Sequence, residues 1–120
     1  MNTTQVQMMI EDIGLMPAIQ KSFGKDAKIK LFFSDSILVT KIEKLNLSVR
    51  SYNCLKRAGI DNVDLLINAV NEKKLPQIRN LGEKSIAEIY VRLYEFGYEN
   101  LSEEGKENFV KSLIEINKKV

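Results

Sequence analysis

The run Leu75-Pro76-Gln77-Ile78-Arg79-Asn80-Leu81-Gly82-Glu83-Lys84-Ser85-Ile86 gathers the groups in this chain best suited to holding an anion. It has the form of a helix-hairpin-helix: an apolar helix end, a tight turn through glycine and a new helix opening at once. The first N–H groups of a helix have no intrahelical acceptor, and the helix dipole adds partial positive charge there. Such a turn therefore suits a phosphate. Gly82 would let the phosphate come close to the backbone, and Lys84 and Ser85 would add a charge and a hydroxyl donor. Contacts of this kind anchor a protein on a nucleic-acid backbone without reading its sequence. The plainer reading of the same residues is a turn between two helices with an exposed lysine and serine.

Catalytic chemistry has little to work with. The chain has no histidine, so the commonest general base and metal ligand is missing. Cys54 is the one cysteine, which excludes an intramolecular disulfide and a metal site built from thiols. Neither clustered carboxylates nor a nucleophile–base pair nor a P-loop is present. The expectation is a protein that is not an enzyme, with no metal, no cofactor and no small-molecule substrate. No stretch approaches the roughly 20 apolar residues needed to cross a bilayer. The start, Met1-Asn2-Thr3-Thr4, lacks the basic and apolar runs of a signal peptide. The chain therefore reads as soluble and cytoplasmic, with no membrane partner.

The elements that must position the hairpin divide into three stretches. Residues 1–40 open with Thr3 and Thr4 as N-caps before Val6, Met9, Ile10 and Ile13, a helical spacing. Gly14 and Pro17 interrupt it, and Pro17 can sit in the first turn of a second short helix. After Gly24, Lys28 to Phe33 alternates in polarity. Ser34-Asp35-Ser36 then offers turn chemistry before Ile37-Leu38-Val39-Thr40, which predicts a small β-hairpin in this flank.

Residues 41–98 read as short helices with tight connections. Ser48 caps a helix over about 49–58 with Val49, Cys54, Leu55 and Ala58 as its apolar stripe, and Gly59 ends it. Asp61 or Asn62 caps the next, with Val63, Leu65, Leu66, Ile67 and Val70 inward. A short element near 73–78 holds Pro76. A long helix over about 83–96 presents Ile86, Ile89, Leu93 and Phe96, and Gly97 closes it. Residues 99–120 add an amphipathic helix from about Ser102, with Phe109, Leu113, Ile114 and Ile116 apolar. No linker rich in Gly or Pro separates the stretches. The expected fold is mainly α, a compact bundle of short helices around the helix-hairpin-helix.

Two blocks carry a resemblance. Leu45-Asn46-Leu47-Ser48-Val49-Arg50-Ser51-Tyr52-Asn53-Cys54-Leu55-Lys56-Arg57-Ala58-Gly59-Ile60 is similar, nearly residue for residue, to the first helix of the C-terminal domain of the bacterial RNA polymerase alpha subunit. Ile78 to Ser85 falls at that family's spacing. The resemblance covers residues 41–98 and leaves both flanks unexplained. It implies a DNA-binding transcription module that contacts the minor groove of A·T-rich DNA, with transcription regulators and RNA polymerase as further partners. By position, Arg50 would enter the groove, in keeping with the negative potential of a narrow A-tract groove. Asn53 would contact base edge or sugar, while Asn80, Gly82, Lys84 and Ser85 would hold the backbone. Glu88 reads as an orienting partner, and Cys54 as a small buried hydrophobe. Tyr52 matches a place where regulatory proteins dock. Lys56 and Arg57 are open between a solvated basic face and a contact to protein or phosphate.

The chain also departs from that family. It looks like a free-standing relative without the large assembly domain. Lys44 and Asn46 replace acids near the expected sigma-factor contact, and charge reversal usually damages a contact. Glu83 stands where a basic residue is usual. Pro76 delays the short helix before the hairpin. The net charge is only +2, although all of the surplus falls in residues 41–100, with ten Lys and Arg against eight Asp and Glu. A second reading therefore stands beside the first: a mimic of the polymerase domain that captures transcription activators and binds DNA weakly.

Overall fold

A computed structural model of the chain describes residues 2–30 and 33–118. Its helices are α1 (Thr3–Ile13), α2 (Leu15–Phe23), α3 (Asp35–Leu38), α4 (Val49–Arg57), α5 (Val63–Asn71), α6 (Glu83–Glu99) and α7 (Glu103–Ile116), with short 3-10 turns at Ile42–Leu45 and Leu75–Gln77. They gather into two compact units, one of residues 33–96 and one of residues 1–32 with 97–120. The mainly α expectation holds, and among the described residues the only extended pairing is an isolated bridge, Lys41 with Asn62.

The 33–96 unit is built around one continuous apolar cluster. Ile37, Ile42, Leu45, Leu55, Val63, Leu66, Leu75, Leu81, Ile89 and Leu93 are buried in it, with Ile86, Tyr90 and Phe96 packed at its margin. Local chemistry sets the ends of its helices. Ser48 accepts the Ser51 N–H at the start of α4, and Asn62 accepts the Leu65 N–H at the start of α5. α4 stops in a Schellman motif: Ile60 N–H bonds the Leu55 carbonyl, Gly59 N–H bonds that of Lys56, and Gly59 takes φ 81. α5 ends the same way, with Lys74 N–H on the Ala69 carbonyl and Lys73 N–H on that of Val70. Here the left-handed residue is Lys73, at φ 56.

The β-hairpin does not form. Its second arm is α3, because Ser34 and Asp35 act as a helix start: the Ile37 and Leu38 N–H groups both bond the Ser34 carbonyl. Winding the segment up buries Ile37 in the core, which an isolated hairpin could not do. Leu31 and Phe32, in the other arm, lie outside the described residues. Three side chains also differ from the expected stripes. Val49 is 76% exposed, Ala58 is exposed, and Leu65 lies off the Val63–Leu66–Ala69 row that faces inward.

In the other unit, α1 packs on α2 and α7, burying Val6, Ile10, Leu15, Ala18, Ile19, Phe109, Val110 and Leu113. The cap of α1 is Asn2 and not Thr3 or Thr4. Its carboxamide accepts the Gln5 N–H while the Gln5 side chain accepts the Asn2 N–H, a reciprocal box the threonines do not make. Ser102 caps α7 as expected, accepting the Gly105 N–H. α6 runs on through Gly97, which sequence alone marks as its end. The added turn carries Tyr98 to Phe109, ring centroids 5.5 Å apart, a contact that offsets the roughly 1 kcal/mol a mid-helix glycine costs.

A lysine in the left-handed region costs about 1 kcal/mol that a glycine would not. Lys73→Gly is therefore expected to raise unfolding stability by about 0.5–1 kcal/mol. Denaturant melts of parent and variant compare them directly, and a drop in stability would contradict the reading of this turn.

Candidate nucleic-acid interface

The residues singled out by sequence fall on α4 and on the turn that opens α6. α4 is fixed at two points, its start and its middle. At its start, Glu88 of α6 accepts the Ser48 backbone N–H on Oε2 at 3.0 Å, and on Oε1 it accepts the hydroxyls of Ser48 at 2.9 Å and Ser51 at 2.5 Å. In an ordinary capping box a glutamate three residues after the cap reaches back to the cap N–H. Here that place holds Ser51, and the carboxylate comes from another helix. Further along, the Cys54 thiol donates to the Asn80 carbonyl at 3.5 Å, which ties α4 to the hairpin turn. Cys54 is buried in the apolar cluster, in line with its reading as a small hydrophobe.

Glu88 is partly enclosed, which pushes its carboxyl upward. The Ser51 and Ser48 hydroxyls, the Ser48 N–H and the nearby Arg92 outweigh that effect and hold it below the ordinary glutamate range. Ser51, fully buried, is a member of this group that sequence reasoning missed. The available signal was a serine in the inward register of α4, in a chain where the resemblance already marked a carboxylate, Glu88, as orienting.

At the hairpin, Asn80 adopts φ 68, where asparagine is tolerated. The Leu81 N–H bonds the Ile78 carbonyl at 3.2 Å. Gly82 precedes α6 and its carbonyl accepts the Ile86 N–H, but glycine brings no side chain to the first-turn N–H groups. Its backbone lies outside the left-handed region, and a Cβ added there would meet nothing within 4 Å. Neither strain nor packing within the protein calls for glycine at this position.

Arg50 and Asn53 lie three residues apart on α4, one face of the helix, and both are exposed. Lys84 is exposed and Ser85 half-buried in the first turn of α6. The structure separates the three residues grouped as a protein-contact set. Lys56 Nζ lies 6.0 Å from the centre of the Tyr52 ring and 2.9 Å from the Asp61 carboxylate, which holds the ammonium above its ordinary value. Arg57 turns instead to a groove shared with Arg79 and Asn80. Among the described residues no group of His, Cys, Asp and Glu could hold a metal ion, and no helix is long and apolar enough to cross a membrane.

A mainly α unit whose hairpin leads into a long helix, braced on a capped helix by a partly enclosed carboxylate, defines a helix-hairpin-helix module. Residues 34–95 match the family described as the C terminal domain of the bacterial RNA polymerase alpha chain, and the protein belongs to that family. Among curated proteins, the DNA-directed RNA polymerase subunit alpha of Desulforamulus reducens is 54% identical over 63 residues, covering 52% of this chain and 20% of that protein. The corresponding subunit of Bacillus velezensis is 51% identical over 63 residues, again 52% and 20%. That of Alkaliphilus oremlandii is 43% identical over 88 residues, 73% of this chain and 24% of its own length. The matches thus span only about a fifth to a quarter of these relatives. No solved structure gives a significant match.

The Glu88 bracket sets an acid dependence. Its folded pKa is lowered, so the bracket stabilises fully above the ordinary glutamate value and is lost as pH falls through the depressed folded value. Glu88→Gln should cost about 1–3 kcal/mol at neutral pH, and the gap to the parent should narrow on acidification across that window. Melts at a series of pH values test this; a gap independent of pH would remove the charge from the account.

Proposed function

We propose that this protein is a DNA-binding transcription module that docks on the minor groove of A·T-rich DNA. Arg50 enters the groove, Asn53 contacts base edge or sugar beside it, and Asn80, Gly82, Lys84 and Ser85 hold the backbone. The observation that carries this reading is Gly82. It sits open at the start of α6, required by nothing inside the protein, at the place where a phosphate would meet the first-turn N–H groups. Arg50 and Asn53 support it: both are exposed, and among the described residues neither is engaged in an ion pair or side-chain hydrogen bond. The names of the relatives place them in DNA-directed RNA polymerase, which makes transcription the setting of the proposal and RNA polymerase a proposed partner.

A second reading is capture of a transcription regulator at Tyr52 and Lys56. The exposed Glu83 favours it, because a carboxylate in the first turn of α6 repels a phosphate at the same spot.

Titration of the protein with A·T-rich and G·C-rich duplexes at two salt concentrations separates the readings. Tighter, salt-dependent binding to the A·T-rich duplex is expected, and absence of binding to both at low salt would move the function to regulator capture. Arg50→Ala should cost roughly 5- to 150-fold in affinity with little change in stability, and Lys84→Ala should lower the salt slope by about one. Gly82→Ala should leave the melting temperature nearly unchanged while weakening binding by about fivefold or more, the equivalent of one lost hydrogen bond. An alanine at 82 without effect on affinity would place the phosphate elsewhere.

A further inference from the structure

Arg57 follows Arg50 by seven residues and Asn53 by four, so the three side chains share one side of α4. It lines a surface groove of about 690 Å³ together with Lys74, Arg79 and Asn80, over Cys54 and Ile78. Lys74 is ion-paired with Glu72. Arg57 and Arg79 are exposed, and among the described residues neither has an acidic partner. Two uncompensated guanidinium groups thus open on one concave surface. A guanidinium is planar and always charged, with donors spaced to grip two phosphate oxygens at once.

We propose that this groove takes backbone phosphates of the bound duplex next to the hairpin contact, which makes Arg57 and Arg79 DNA anchors. The inference rests on the DNA-binding reading above and extends its footprint. Asn80 supplies the continuity, because it belongs both to the hairpin turn and to the groove wall. Distance supports it too. Arg50 and Arg57 stand about 10 Å apart along the helix axis, the rise of about three nucleotides of one strand. Charge gives a third reason. Glu83 sets a carboxylate beside Lys84 in the first turn of α6 and offsets its charge, so further attraction for the backbone falls to cations beside the hairpin. The same geometry takes Arg57 away from Tyr52 and Lys56, which pair with each other across a neighbouring part of α4.

The test is a salt titration of the 120-residue chain on an A·T-rich duplex, with Arg57→Gln, Arg79→Gln, the double variant and Arg50→Ala. Each single glutamine variant should lower the slope of log affinity against log salt by about one. Between about 50 and about 200 mM salt, the affinity lost should then shrink about threefold per variant and about tenfold in the double variant. Preference for A·T-rich over G·C-rich duplex should stay as in the parent, because phosphate contacts carry no sequence information, and melting temperatures should not move. A double variant with the parent's slope, while Arg50→Ala still loses affinity, overturns the groove and leaves the DNA reading standing. Arg50→Ala without effect overturns both. Should the double variant keep the parent's DNA slope but lose binding to a Glu-rich peptide probe, the groove belongs to an acidic protein segment and the proposal fails.

Discussion

Helix α4 begins with N–H groups that its own backbone cannot satisfy, and it buries a serine hydroxyl one turn in. The Ser48 hydroxyl oxygen accepts the Ser51 N–H, and the Glu88 carboxylate accepts the Ser48 N–H and the Ser51 hydroxyl. Left without partners, a buried hydroxyl and a capped helix end would cost about 1–3 kcal/mol each. The carboxylate must give up water to serve them, and burial alone would raise its pKa. The direction of the net shift is downward, so the donors more than repay the lost hydration. Because the acceptor stands on α6 and the donors on α4, the bond that caps one helix also fixes its orientation against the other. That group helps to set the positions of Arg50 and Asn53 relative to the opening of α6.

The thiol of Cys54 works toward the same end with a weaker bond. Its donation to the Asn80 carbonyl joins the middle of α4 to a turn whose backbone is left-handed at Asn80. Between Glu88 and Cys54 the hairpin is braced on α4 from two sides, while its outer edge at Gly82 stays bare. Within the proposed function, the frame does the positioning and the ligand completes the hydrogen bonding of the first turn of α6.

Much of this was legible in the sequence because it is written in local chemistry. Ser48, Asn62 and Ser102 cap by bonds that span three residues, and Gly59 stops α4 by its own conformational freedom. What was not legible depends on partners distant in sequence. Ser51 reads as a weak helix residue until Glu88, 37 residues on, is placed beside it. Ser34-Asp35-Ser36 serves a turn or a helix start equally well, and the burial of Ile37 in the apolar cluster decides for the helix. Gly97 looks like a stop until the pairing of Tyr98 with Phe109 outweighs it. Val49 and Ala58 fit an apolar pattern, yet both face outward. The six residues Arg50, Asn53, Asn80, Gly82, Lys84 and Ser85 could be proposed from resemblance, whereas the separation of Arg57 from Tyr52 and Lys56 needed the fold.

The low net charge of +2 looks at first like an argument against a nucleic-acid partner. Where the charges are spent matters more than their sum. Lys56 is held by Asp61 and Lys74 by Glu72, so two of the cations near the interface are largely compensated. Arg50, Arg57, Arg79 and Lys84 carry no such acidic partner among the described residues. A strong overall positive field would attract any polyanion and hold it without register. A nearly neutral surface with a few free guanidinium and ammonium groups on a braced frame gives up long-range attraction and keeps the short-range contacts. Within the proposed function, binding by such a surface depends on geometry, which is why the bond network that ties Glu88 to Ser48 and Ser51, on either side of Arg50, bears on function as the cations do.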